Sequence, residues 1–174
     1  MRGLATADRI RVFLRELGRH ARHPARAHLA GGATAVLLGW RDATIDVDLA
    51  FAGPGGDALL RAIPALKDAL RLNVELATPA DFIPLPADWR EHGRFETQEG
   101  RLVVYHVELV WQALAKIHRG HRQDLEDART MVTRGLVAPD ELRAAFTRIE
   151  PELFRFPNID PPSFRRAVER FTAA

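Results

Sequence analysis

Residues 43–51, Ala-Thr-Ile-Asp-Val-Asp-Leu-Ala-Phe, alternate strictly, with Ile45, Val47 and Leu49 on one face of an extended chain and Thr44, Asp46 and Asp48 on the other. Side chains change face at every residue of a strand, so this stretch demands a sheet with one face in a core. The polar face then carries two carboxylates two residues apart, their Cβ atoms within about 7 Å. Like charges that close repel. A solvated strand face tolerates the pair; in a strand built into the core by Val47 and Leu49, a cation is the reason to keep both ionised. Magnesium suits the second reading, because it takes one or two carboxylates together with substrate phosphate oxygens.

The rest of the chain supplies what such a strand needs. Ile10, Phe13, Leu14 and Leu17 recur at helical spacing within Thr6 to Leu17, with Thr6 or Asp8 as a cap. Ala27 to Ala30 is a short apolar run that ends at Gly31-Gly32, a strand turning into a helix over Ala33 to Leu38. Glycines at such a turn let the backbone approach a ligand closely, although a tight turn alone also uses them. Leu59, Leu60, Ile63, Leu66 and Leu70 form an amphipathic helix that Pro64 weakens or kinks. Leu72 to Leu76 is a third strand, with Leu72, Val74 and Leu76 on one face and Asn73 and Glu75 on the other. After an irregular crossing marked by Pro79, Pro84 and Pro86, residues 94–96 and 102–107 read as a hairpin around Glu99-Gly100. From Trp111 the pattern is helical, interrupted near 135–139 and 156–162. The expected architecture is α+β (α/β), a core over 1–110 and a helical region over 111–174 packed on it as a single folding unit.

Composition narrows the function classes. No cysteine is present, which removes disulfides, thiolate metal sites and cysteine nucleophiles together. Ser163 is the only serine, so no serine-histidine-aspartate site is available. No stretch approaches the roughly 18 apolar residues of a membrane span, and the N-terminus lacks the apolar run of a signal peptide, so a cytoplasmic protein is expected. The net charge of +2 and the lack of a basic stripe argue against long nucleic-acid contacts.

The combination of elements is more specific than either alone. LAGGATAVLLGWRDATIDVDLAF, residues 29–51, resembles the signature of the DNA polymerase beta-like nucleotidyltransferase superfamily: Gly-Gly after an apolar residue, a short helix, then a strand bearing D-x-D. With Gly39, Arg41 and Thr44 before the carboxylates, and with residues 77–89 and 114–128, it is similar to a small branch found beside bacterial toxin genes. The resemblance covers roughly residues 26–135. It implies a mixed sheet flanked by helices, magnesium or manganese as cofactor, a nucleoside triphosphate as substrate, and transfer of a nucleoside monophosphate to a hydroxyl acceptor. A toxin-like protein partner is also implied.

By that resemblance, Gly31 and Gly32 meet the phosphates while Asp46 and Asp48 hold metal and carry catalysis. Active members add a third carboxylate on a neighbouring strand. Glu75 is the candidate for this catalytic and metal-holding role, with Asp81 the substitute in another register. Lys116 and Arg119, one turn apart on a helix, are implied to reach the triphosphate; the alternative is that they form solvated salt bridges with Asp124 and Asp127. Arg41 and Thr44 are placed to orient phosphate or brace the aspartates. His118 and His121 are three apart on a helix but lack a third ligand at metal-site spacing. Trp40, Trp89, Trp111 and the apolar residues around Phe146, Phe154 and Phe156 read as core or loop anchors. An inactive antitoxin or partner-binding protein on the same fold is the rival expectation, raised by uncertainty over the third carboxylate.

Overall fold

The computed structural model describes residues 3–173, which divide into two compact units. One runs to Thr78 and resumes over His92–Val107; the other comprises Pro79–Glu91 and the chain from Glu108. The proline-marked crossing thus groups with the C-terminal helices. The first unit is a mixed sheet with helices, so the fold class is α+β.

In the first unit, strand β1 (Ala5–Thr6) leads into helix α1 (Ala7–Arg19), which buries Ile10, Phe13, Leu14 and Leu17. Strand β2 (Ala25–Ala30) runs directly into helix α2 (Gly31–Leu37). Strands β3 (Ala43–Thr44) and β4 (Asp46–Ala52) follow, then helix α3 (Gly56–Ala69) and strand β5 (Asn73–Glu75). A hairpin of β6 (Arg94–Glu99) and β7 (Leu102–His106) completes the unit, with a bulge between Phe95 and Thr97. The five-stranded order is β5-β4-β2-β7-β6; β2 is antiparallel to β4 and parallel to β7, and β4 is parallel to β5. Ala27, Leu29, Val47, Leu49, Leu102 and Val104 form one face of this sheet and pack with α1 and α3 residues such as Phe13, Leu14, Leu59 and Ile63 in a single core. Period-2 burial on β4 therefore leaves Asp46 and Asp48 on the opposite face.

Two sequence expectations change here. The stretch 43–51 is two strands, because Ala43-Thr44 pairs with β1 while Asp46 onward joins the main sheet. The chain bends between them, and Ile45, expected inside, is 69% exposed. Strand β5 ends at Glu75, so Leu76 leaves the core face and is also exposed. Helix α3 runs on through Pro64, which sits on the solvent side, while Leu59, Ile63 and Leu66 carry the packing and Leu60 is partly exposed.

The second unit holds helices α4 (Leu109–Arg119), α5 (Arg122–Thr133), α6 (Pro139–Ile149) and α7 (Pro161–Ala173). Gly120, at φ 68°, ends α4 in the left-handed conformation that glycine adopts most readily, and the chain reverses into α5. Pro139 opens α6, and the Glu141 carboxylate accepts a hydrogen bond of 2.6 Å from the Ala138 amide. Trp89 and Trp111 are buried anchors, whereas Phe154, grouped with the core by sequence, is 78% exposed on the short 3-10 segment after α6. Among the described residues no helix is long and apolar enough to cross a membrane.

Candidate functional site

The turn from β2 into α2 is built around two glycines that cannot be replaced without moving something. Gly31 has φ +58°, a conformation that costs an L-residue roughly 1–2 kcal/mol. A Cβ on Gly31 would collide with the Asp48 carboxylate, and one on Gly32 would overlap the Thr44 side chain. The glycines thus make room for this chain's own side chains, one from β4 and one from β3. Sequence spacing indicates a close approach at this turn but not that Asp48 and Thr44 are what approach.

Register brings the carboxylates together. Asp48 lies opposite Ala30 of β2 on one side and opposite Glu75 of β5 on the other, while Asp46 lies opposite Asn73. Directly paired residues point to the same face of a sheet, so Asp46, Asp48, Asn73 and Glu75 share one. Asn73 links them: its amide donates to Asp46 Oδ1 and, at 3.2 Å, to Glu75 Oε1. Glu75 is solvent-exposed and Asp46 and Asp48 are half-buried, so the group lies open to a ligand. Thr44 is buried beneath Gly32, where it braces the turn, and Arg41 lies partly buried in the loop after α2.

Among the described residues, no three of His, Asp or Glu are gathered as a ready-made metal cage. The donors at this turn are carboxylates on one face, a hard-oxygen set that fits magnesium or manganese only in company with a ligand's own oxygens. A self-contained structural metal does not fit.

Lys116, Arg119 and the alternative carboxylate Asp81 belong to the other unit. Lys116 is buried, and its ammonium donates to Asp127 Oδ2 at 2.7 Å and to Asp124 Oδ1 at 3.2 Å. Arg119 Nε meets Asp124 Oδ2 at 3.1 Å, and its guanidinium lies 4.8 Å from the centre of the Phe82 ring. The expectation of solvated bridges along one helix is therefore corrected. Reversal at Gly120 brings α5 back along α4, and Asp124 and Asp127 are 5% and 1% exposed. His118 and His121 fall on opposite sides of the same reversal, on α4 and at the start of α5.

A second buried network has its own signal in the sequence. Leu102, Val104 and His106 alternate on the core face of β7, and a histidine at the end of such a row must find partners. His106 Nε2 lies 2.8 Å from Glu96 Oε2, and His106 Nδ1 lies 3.0 Å from the hydroxyl of Thr34, in the first turn of α2. A neutral imidazole satisfies both, with Nε2–H donating to Glu96 and Nδ1 accepting from Thr34. The hairpin thereby holds the turn that carries Gly31 and Gly32.

Burial pushes the His106 pKa below its ordinary 6.5; the hydrogen bond and charge of Glu96 partly oppose this, and Arg94 adds to the fall. The unfolded chain therefore takes up this proton at a higher pH than the folded one, and stability is lost as pH drops below about 6.5. A lower Tm at pH 5.5 than at pH 7.5 is expected, with a smaller difference in His106→Asn; an unchanged difference would exclude His106 as its source.

Compared with known protein families, curated proteins and solved structures, the chain matches none.

Proposed function

We propose that the chain is a nucleotidyltransferase that moves a nucleoside monophosphate from a nucleoside triphosphate to an acceptor hydroxyl, using magnesium or manganese. The observation that carries this reading is the seating of the Asp48 carboxylate against Gly31, with Asp46 on the same face of β4 and Glu75 in register beside it. The N-terminus of α2 by itself favours one carboxylate at Gly31, and the reading rests on the second and third that face the same side, which a cation and a phosphate chain bring into use.

In this mechanism the acceptor oxygen attacks the α-phosphorus, the α–β phosphoanhydride bond breaks and pyrophosphate leaves. The acceptor proton passes to a carboxylate, for which Glu75 is the nominated base. Asp46 and Asp48 would hold the cation, which when bound offsets the charge of the phosphates. Gly31 and Gly32, lacking side chains, let the Asp48 carboxylate and the Thr44 side chain close on the turn, which keeps the cation-holding carboxylate beside the backbone that would meet the phosphates. Asn73 orients Asp46 and Glu75 through the two hydrogen bonds it donates.

Asp46→Asn and Asp48→Asn should each abolish metal-dependent transfer from labelled nucleoside triphosphates while leaving Tm within a few degrees. Undiminished transfer in either variant would remove these carboxylates from the reaction. The hydrogen bonds from Asn73 also favour a second reading, a partner-binding protein of a toxin-antitoxin pair in which Asn73 satisfies Asp46 and Glu75 and no nucleotide binds. Calorimetry with each nucleoside triphosphate in the presence of magnesium separates the two: heat of binding that Asp46→Asn removes supports the transferase, and silence with all four supports the partner-binding protein.

A further inference from the structure

Helices α4, α5 and α7 of the helical unit enclose a half-open cleft of about 610 Å³. This is the size of a small-molecule site, which for a drug-sized ligand spans roughly 300–1,000 Å³. Ile117, Leu125, Val132 and Phe171 give it apolar walls. No aspartate or glutamate lines it, and its charged lining residues are Arg129 and Arg170.

Those two arginines stand apart from their neighbours. Arg119, Arg122, Arg143, Arg155 and Arg165 each pair with a carboxylate of the same unit. Among the described residues Arg129 and Arg170 meet no carboxylate, and both are solvent-exposed. A guanidinium recognises carboxylate or phosphate through parallel hydrogen bonds, and two of them on one apolar cleft set up a strong preference for an anionic head. His118 adds a further polar edge; its ring packs 4.9 Å from that of Phe164, and burial pushes its pKa down, which favours the neutral ring and leaves the positive charge of the cleft to the two arginines.

We propose that this cleft binds a small amphiphilic anion, a molecule with an apolar body and one carboxylate or phosphate head, whose body fills the space between α4, α5 and α7 and whose head meets Arg129 and Arg170. The site lies wholly within the helical unit and does not depend on nucleotidyl transfer. The probes are dodecanoate and dodecyl phosphate, with dodecanol as the neutral counterpart. Each is titrated below its micelle concentration into the full isotope-labelled chain and followed by amide shifts.

Saturable shifts confined to α4, α5 and α7 are expected for one or both anions, with dodecanol at least about tenfold weaker, as for loss of a charge-assisted contact. The stronger anion identifies the head group. Arg129→Ala/Arg170→Ala, which changes only exposed side chains, should erase the advantage of the anion over dodecanol. Ala167→Trp should fill the cleft and remove binding of all three. Equal affinity for anion and alcohol, anion binding that survives the double arginine variant, or no binding at all would overturn the proposal. So would concentration-dependent dimerisation in sedimentation that Ala167→Trp abolishes, which would assign the cleft to a second copy of the chain.

Discussion

Lys116→Ala is expected to destabilise the helical unit by about 3–5 kcal/mol, the range found when one partner of a buried ion pair is removed and the other charge is left uncompensated. The ammonium lies between Asp124 and Asp127, both almost wholly buried, and meets a carboxylate oxygen of each. Asp124 retains Arg119, whose side chain is 39% exposed, so Arg119→Ala should cost far less, about 1 kcal/mol. The diagnostic variant is Lys116→Met with Asp124→Asn and Asp127→Asn, in which no charge is stranded. If uncompensated charge is the cause, the triple variant is more stable than Lys116→Ala despite two further changes, and urea denaturation of the three proteins reads the order directly. Should the triple variant be the least stable, the network acts through packing of the lysine stem and not through charge.

Why this network escaped the sequence is a matter of geometry. Lys116, Asp124 and Asp127 have the helical spacing of a solvated salt-bridge row, and nothing in that spacing says that the helix ends at Gly120 and doubles back. The available signal is the apolar company of the lysine, which lies between Ala115 and Ile117 and two residues from Leu114. A charge embedded in such a row needs a buried partner.

The sheet was more legible, up to the places where strands change neighbours. Val47 and Leu49 are fully buried and Asp46 and Asp48 face away, as alternation requires. Alternation failed at Ile45 because Thr44 pairs with Ala5 in a separate two-stranded sheet, and at Leu76 because β5 pairs for only three residues. Pairing partners are tertiary facts that a local pattern does not encode. The candidate site shows the same division. The glycine pair, the two aspartates and the parity of Glu75 are visible in sequence, whereas Asn73 as the link between Asp46 and Glu75 depends on the parallel register of β4 and β5.

Gly31→Ala tests the geometry of the site independently of any activity. The substitution introduces two separate costs. Holding alanine at φ +58° costs roughly 1–2 kcal/mol. The new Cβ also strikes the Asp48 carboxylate, and relieving such an overlap typically costs a further 1–3 kcal/mol or so. A total loss of about 2–5 kcal/mol is therefore expected. Only the second cost involves Asp48, so a double-mutant cycle separates them. In the background of Asp48→Gly the collision is gone, and Gly31→Ala should cost only its backbone strain, giving a coupling energy of about 1–3 kcal/mol between residues 17 apart in sequence. Additive effects would mean that Asp48 does not rest on Gly31 in solution. The seating of a carboxylate on the glycine turn would then be lost, and with it the observation on which the nucleotidyltransferase reading stands.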